Sequence, residues 1–253
     1  MLPDPLFLNV HMYGIMIAIG ILGTFAVLYL YSKKKEIDTS FTDFMFYDGV
    51  FSIVVGFGSA AVFQALYNYI ENPSYGFRIG SGITFIGGLI GGVLCFLAVY
   101  FIFRKKLSNR LYKVLSLPPC CILIAHAFGR VGCFFAGCCY GKETDSFLGV
   151  KFPRLAHTVH PTQLYEAFFL FLMFGICTYL YLKKDFRHNM SLYLISYGVF
   201  RFFIEYLRDD TRGELIGNIS PSQFWSLVMV VIGIGLIFFI NYLYEKESLY
   251  NKT

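Results

Sequence analysis

The sequence predicts an all-α integral membrane protein with seven transmembrane helices, its N-terminus outside and its C-terminus in the cytoplasm. Composition is the first observation that predicts it. The 253 residues are 57% hydrophobic and 19% aromatic but only 15% charged, with a mean hydropathy of +0.60, a balance that no ordinary water-soluble domain sustains. The second is the length of the uncharged runs. Met12–Ser32, Ile79–Phe103 and Leu215–Tyr244 are each long enough to cross a bilayer, which takes about 20 apolar residues. A soluble globule, a disordered chain and a nucleic-acid binder are excluded by these runs. The third is the placement of the basic residues behind the net charge of +5, which cluster between apolar runs as topology signals do.

Taken in order, the apolar runs predict spans at roughly 11–32, 44–70, 82–103, 114–132, 162–182, 190–207 and 221–243. The opening Met1–Val10 has no basic region and no small-residue cleavage pattern follows, so the first apolar segment is expected to be retained rather than removed as a signal peptide. Lys33, Lys34 and Lys35 follow the first span. Arg104, Lys105 and Lys106 follow the third, with Arg110 and Lys113 before the fourth, and Lys183, Lys184 and Arg187 follow the fifth. Basic clusters thus fall on every second loop. The positive-inside rule places those loops and the tail, with Lys246 and Lys252, in the cytoplasm. The outward connections are then 71–81, 133–161 and 208–220. The middle one is the longest and carries glycine turns at Gly137 and Gly141 and a polar stretch ending in His157 and His160, enough chain to fold over a site at the outer surface. With no repeat, low-complexity tract or soluble domain, residues 1–253 read as a single polytopic membrane domain with an outward-facing loop region at about 133–161.

An ionisable group inside a span costs about 3 kcal/mol on insertion scales and therefore faces a partner or a polar cavity. Arg130 ends the fourth span. Arg201 and Glu205 lie four residues apart on one face of the sixth, with Arg208 three further on, and Glu166 opens the fifth. Asp43 and Asp48 are expected to cap or solvate the cytoplasmic end of the second span. By the topology above, Arg130, Arg201, Arg208 and Glu166 meet near one depth. Fixed positive charge there suits a phospholipid phosphate, which the planar Arg fork holds with two charge-assisted hydrogen bonds; a self-neutralising Arg201–Glu205 pair is the alternative. His11 and Tyr13, at the outer mouth of the first span, fit interfacial anchoring as well as a site. Gly87, Gly88, Gly91 and Gly92 have the small-residue spacing of packed membrane helices.

Among seven cysteines, Cys95 and Cys177 lie in apolar runs as small hydrophobes. Cys120, Cys121, Cys133, Cys138 and Cys139 are clustered enough for a soft-metal site, a redox or structural disulfide, a lipid adduct or plain packing. The C-x4-C-C spacing lacks the paired C-x2-C knuckles of a zinc signature. No metal and no cofactor is expected, since there is neither a convincing ligand set nor a nucleotide-binding glycine loop.

Five motifs in order, H-M-Y-G at 11–14, T-F-I-G-G-L-I-G at 84–91, G-R-V-G-C-F at 129–134 closing with Gly141, H-P-T-Q-L-Y-E at 160–166 and Y-G-V-F-R-F-F-I-E-Y-L-R at 197–208, resemble the bacterial prolipoprotein diacylglyceryl transferase family over almost the whole chain. The resemblance implies an enzyme of the bacterial cytoplasmic (inner) membrane. It would move a diacylglyceryl group from phosphatidylglycerol to the thiol of a lipobox cysteine in a prolipoprotein signal peptide, leaving a thioether and releasing glycerol phosphate. Its partners are then membrane lipids and that peptide, with no nucleic acid. On matching positions, Arg130 and Arg201 would hold the phosphate, Glu205 would orient Arg201, and Tyr13, Tyr197 and His160 would line the same cavity, formed by spans one, three, four, five and six. His11, Gly87, Gly88, Gly132, Cys133, Cys138, Gly141, Glu166 and Arg208 would complete the substrate-binding surface.

The chain departs from the family pattern at named positions. Ile86 stands where the family's F-H-G-G motif has a histidine, and Cys133, Ala136 and Cys138 stand where its G-R-x-G-N-F-x-N-x-E signature has two asparagines and a glutamate. The acceptor thiol must lose a proton before it attacks, which leaves His11, His126 or His160 as possible bases, His126 being equally a packing residue. A related transferase with another acceptor, and a lipid- or peptide-binding protein without chemistry, are the alternatives.

Overall fold

The structure, a computed structural model, describes residues 4–5, 10–80, 82, 84–209 and 219–250. The connection 208–220, apart from its ends, lies outside the described residues, as do Lys252 and most of Met1–Val10. Among the described residues eight α-helices occur in chain order: α1 Met12–Lys34, α2 Thr39–Glu71, α3 Phe85–Phe103, α4 Leu111–Val114, α5 Pro118–Ala136, α6 Thr162–Lys184, α7 Asn189–Ile204 and α8 Pro221–Tyr250. A two-stranded antiparallel ribbon separates α5 from α6. In it β1, Val150–Lys151, pairs with β2, Thr158–Val159, so that Val150 faces Val159 and Lys151 faces Thr158. Among the described residues six helices, all but α4 and α7, are long and apolar enough to cross a bilayer. The chain is therefore a multi-pass, mostly helical membrane protein.

Several boundaries differ from expectation for local reasons. The fourth span begins at Pro118 rather than 114, because the Pro118–Pro119 pair fits only a helix's first turn; α4 is a separate turn before it. That helix also runs on to Ala136, so the long connection starts at Gly137 and not at 133. The third starts at Phe85. The sixth run, 190–207, is a 16-residue helix followed by a 3-10 turn over Glu205–Leu207. The second starts at Thr39, which puts Asp48 a full ten residues in. Asp48 is buried and its Oδ1 accepts from Ser52 Oγ at 3.2 Å, a helical i, i+4 partner, so it solvates no helix end.

The chain forms two compact units. Glu36–Arg110 is a hairpin of α2 and α3, held at Gly56 and Gly88. A Cβ on Gly88 would lie 3.2 Å from both the Gly56 carbonyl oxygen and Ala60 Cβ, and one on Gly56 would lie 3.0 Å from the Gly88 carbonyl. Small residues let these backbones touch where lipid offers no hydrophobic drive for association. Thr84 Oγ1 donates to Gln64 Oε1 at 2.6 Å and closes one end of the hairpin. Gly87 and Gly88 thus have the packing role that their spacing predicts.

Met1–Lys35 and Leu111–Thr253 form the other unit. Here α1 runs antiparallel to α5: Thr24 Oγ1 donates to the Cys121 carbonyl at 2.9 Å, and Gly132 packs on Tyr13 and Met16. Next, α6 packs on α5 through Phe128 and Phe171, and α7 on α6 through Phe169 and Phe200, stacked 4.1 Å apart. Gly198 and Gly233 then admit α8 against α7. One end of this unit gathers the basic residues. Lys35 pairs with Asp185, Lys113 Nζ reaches Glu247 Oε1 at 2.6 Å, and Arg187 lies 5.0 Å over the Tyr244 ring. Arg130, Glu166 and Arg201 lie at the opposite ends of their helices.

Candidate active site

Glu166, in the second turn of α6, is fully buried. Three side chains from two helices aim polar atoms at its Oε1: Arg130 Nε of α5 at 3.0 Å, Tyr197 Oη of α7 donating at 2.6 Å, and His126 Nε2 of α5 at 3.6 Å. His126 and Tyr197 meet edge to face, centroids 5.0 Å apart. Residues 126 and 130 are one turn apart on α5, which is why both reach one carboxylate. Glu166 Oε2 has no hydrogen-bond partner among the described residues, an exception that calls for a ligand or solvent.

The second carboxylate lies at the end of α7. Glu205 Oε2 is 2.8 Å from Arg201 Nη1 and 3.9 Å from Arg208 Nε, and its Oε1 accepts from Ser220 Oγ at 3.0 Å. Arg201 Nη2 donates to Ser222 Oγ at 2.9 Å, at the start of α8. Arg201 Nη1 is ion-paired with Glu205 but makes no hydrogen bond among the described residues. Arg201 also stands within electrostatic range of Glu166. The cluster therefore holds three guanidinium groups, Arg130, Arg201 and Arg208, against two carboxylates, Glu166 and Glu205, a net charge of about +1 with His126 neutral. Burial strengthens such a field, so the site favours an anion that offers a pair of oxygens to a guanidinium fork.

The turn after α5 borders this cluster. Gly137, at φ +69°, ends the helix in a Schellman motif, its N–H donating to Phe134 O and the Cys138 N–H to Cys133 O at 3.2 Å. Cys139 is left-handed too, at φ +65°, rare for a residue with a Cβ. The two reversals bring the thiols of Cys133, Cys138 and Cys139 within 4.8 Å of one another. Gln163 Nε2 donates to Cys138 O at 3.0 Å and Thr162 Oγ1 to Cys139 O at 2.9 Å. The neighbouring Cys133 and Cys138 thiols, with the Arg208 guanidinium beside them, hold the Cys139 thiol below its ordinary pKa, while the Cys138 thiol donates to the Cys133 carbonyl at 3.6 Å. Cys120 and Cys121 do not join this group; they are buried more than three turns earlier in α5, and all seven thiols are free.

Gly141 fixes the return. Its N–H donates to His160 O at 2.8 Å and it bridges to Arg208, while a Cβ there would stand 2.3 Å from the Leu207 carbonyl oxygen and 2.8 Å from Thr162 Cγ2. Both neighbours are anchored, so Gly141→Ala is expected to displace Arg208 and to lower any activity of this site at least tenfold, with Arg208→Ala as the reference in the same assay.

A profile of prolipoprotein diacylglyceryl transferases matches residues 5–239. The chain belongs to that family. Relatives named phosphatidylglycerol–prolipoprotein diacylglyceryl transferase agree: the protein from Clostridium tetani is 37% identical over 90% of this chain and 92% of its own, and that from Pseudoalteromonas translucida 34% over 91% and 88%. The protein named phosphatidylglycerol–prolipoprotein diacylglyceryl transferase 2 from Clostridium perfringens is 32% identical over 95% of this chain and 94% of its own. The family is one of transferases acting in lipoprotein biosynthesis.

Of the family-matched positions, Arg130, Tyr197 and Glu166 form one constellation and Arg201, Glu205 and Arg208 the adjoining one. Gly132 seats Tyr13, which lies within electrostatic range of Arg130 and the three cysteines. His160 turns its Nδ1 to Tyr165 Oη at 3.2 Å, and His11 begins α1. Gly87 and Gly88 belong to the α2–α3 unit. Sequence reading left out Ser220 and Ser222. Their signal was the polar string S-P-S-Q at 220–223 opening an otherwise apolar run.

Proposed function

We propose that this protein transfers the diacylglyceryl group of phosphatidylglycerol to the thiol of the lipobox cysteine in a prolipoprotein signal peptide, in the bacterial cytoplasmic (inner) membrane. The thiol sulfur attacks a glyceryl carbon, the carbon–oxygen bond to the phosphate breaks, and a thioether and glycerol phosphate result. The observation that carries the reading is the buried, net-positive constellation of Arg130, Arg201 and Arg208 with Glu166 and Glu205. Its guanidinium groups are held before any lipid binds, so they meet the charge that develops on the leaving phosphate without reorganising. Arg130 and Arg201 hold the phosphate. Glu205 and Ser222 fix the plane of Arg201, Glu166 fixes Arg130, and Tyr197, Tyr13 and His160 line the cavity. His11, Gly132, Cys133, Cys138, Gly141 and Arg208 complete the substrate surface within this unit.

The chain crosses the membrane seven times, α7 included, with the N-terminus and the 137–161 region outside. The gathering of Lys35, Lys113 and Arg187 at the end of the unit opposite Arg130 supports this orientation. The test is purified protein with labelled phosphatidylglycerol and a lipobox peptide. Label is expected on the cysteine peptide and not on its serine counterpart. Transfer that persists in Arg130→Ala at the wild-type rate would remove the phosphate role.

A further inference from the structure

We propose that Cys133, Cys138 and Cys139 bind a zinc ion through their thiolates, and that the fourth position of this zinc takes the thiol of the acceptor cysteine. The inference rests on the transfer reading above and adds the group that makes the acceptor nucleophilic. Three protein ligands with one open position are the pattern of zinc sites that act on a substrate, whereas four closed ligands mark structural ones.

The geometry fits with little movement. Thiolates on tetrahedral zinc at about 2.3 Å stand roughly 3.8 Å apart, and the three sulfurs already lie within 4.8 Å of one another. Rotations about χ1 close the difference. The backbone under them is fixed by the Schellman turn at Gly137, by the left-handed Cys139, and by Gln163 and Thr162 on the carbonyls of Cys138 and Cys139, the kind of support that holds metal ligands in place. Cys138 is exposed while Cys133 and Cys139 are half-buried, so the open position is reachable by a peptide. Charge fits too. Three thiolates and a zinc ion sum to −1, and Arg208 lies beside Cys139 while Arg130, one turn before Cys133 on α5, is within electrostatic range of Cys133 and Cys139.

Coordination accounts for the first step of the transfer. A thiol that ligates zinc gives up its proton, here to water, and remains as bound thiolate. Its electron pair attacks the glyceryl carbon; the carbon–oxygen bond breaks with its pair on the phosphate oxygen held by Arg130 and Arg201. No oxidant or reductant takes part. The neutral thioether is a poorer ligand than the thiolate and leaves the metal.

The test uses the full chain, purified without chelator and assayed for metal by mass spectrometry. We expect about one zinc per chain, lost in Cys138→Ser and in Cys139→Ser and kept in Cys95→Ser and Cys177→Ser. With cobalt in place of zinc, the thiolate-to-metal charge-transfer band is expected to rise when the lipobox peptide is added and to stay unchanged with its serine counterpart. Zinc absent from the protein, zinc indifferent to Cys138→Ser, or a disulfide among the three thiols overturns the site. A cobalt band indifferent to the cysteine peptide overturns the acceptor role. Wild-type protein that binds zinc through these cysteines but transfers no label overturns the transfer reading instead and leaves the metal site standing.

Discussion

Arg201→Ala is expected to lower kcat for diacylglyceryl transfer by about 100-fold or more, the size of effect seen when one preorganised donor to a developing anion is removed. Arg201 is buried, and Ser222 and Glu205 hold it from two elements, the start of α8 and the 3-10 turn after α7. The fold should survive the change, because Glu205 keeps Arg208 at 3.9 Å and Ser220 at 3.0 Å. The loss should therefore appear in turnover and not in yield or melting temperature. Arg201→Lys is expected to recover little, since an ammonium is a point charge and cannot replace two parallel N–H donors. Ser222→Ala, which loosens the guanidinium without removing it, should cost about tenfold, in keeping with one hydrogen bond to a charged group. An Arg201→Ala protein that melts as the wild type and turns over normally contradicts the phosphate role.

The contrast between the two carboxylates shows what a sequence can reveal about such a site. Arg201 and Glu205 are four residues apart, and helical periodicity alone puts them together. Arg130 and Glu166 are paired just as closely, yet 36 positions separate them in the chain, and no periodicity links one helix to another. The multi-pass, mostly helical architecture was legible because about 20 apolar residues make a crossing whatever surrounds them, and six of the helices are long and apolar enough among the described residues. Boundaries were less so. They depend on single residues, as when Pro118 and Pro119 delay α5, or when Asp48 is admitted to a helix interior by Ser52 one turn on. The cysteine cluster was the least legible. Its spacing suggests no metal knuckle because the thiols converge through two left-handed residues, and only one of these, Gly137, is of a type that announces such a turn. Charge inside apolar runs brought Arg130 and Glu205 to notice and a family motif brought Tyr197, whereas Ser220 and Ser222 lay outside every motif and needed the packing of α8 on α7.

Glu166→Gln is expected to destabilise the protein by about 3–5 kcal/mol, the cost of leaving a buried charge without its partner. Glu166 is fully buried and Arg130 largely so, and the neutral amide still accepts from Tyr197 Oη, so the variant isolates the charge from the hydrogen bond. Combining it with Arg130→Met removes the stranded guanidinium as well. This double variant should recover most of the lost stability, because two neutral groups of similar size replace the pair, and it should remain inactive because the phosphate contact is gone. Denaturant titration of the folded protein in lipid–detergent micelles, with transfer assayed in parallel, gives both readouts. Melting of Glu166→Gln at the wild-type point would place the stabilising role elsewhere. Recovery of activity together with stability in the double variant would show that Arg130 serves only to neutralise Glu166. The two arginines would then differ in kind: Arg201 would face the lipid phosphate and Arg130 would be a structural counter-ion.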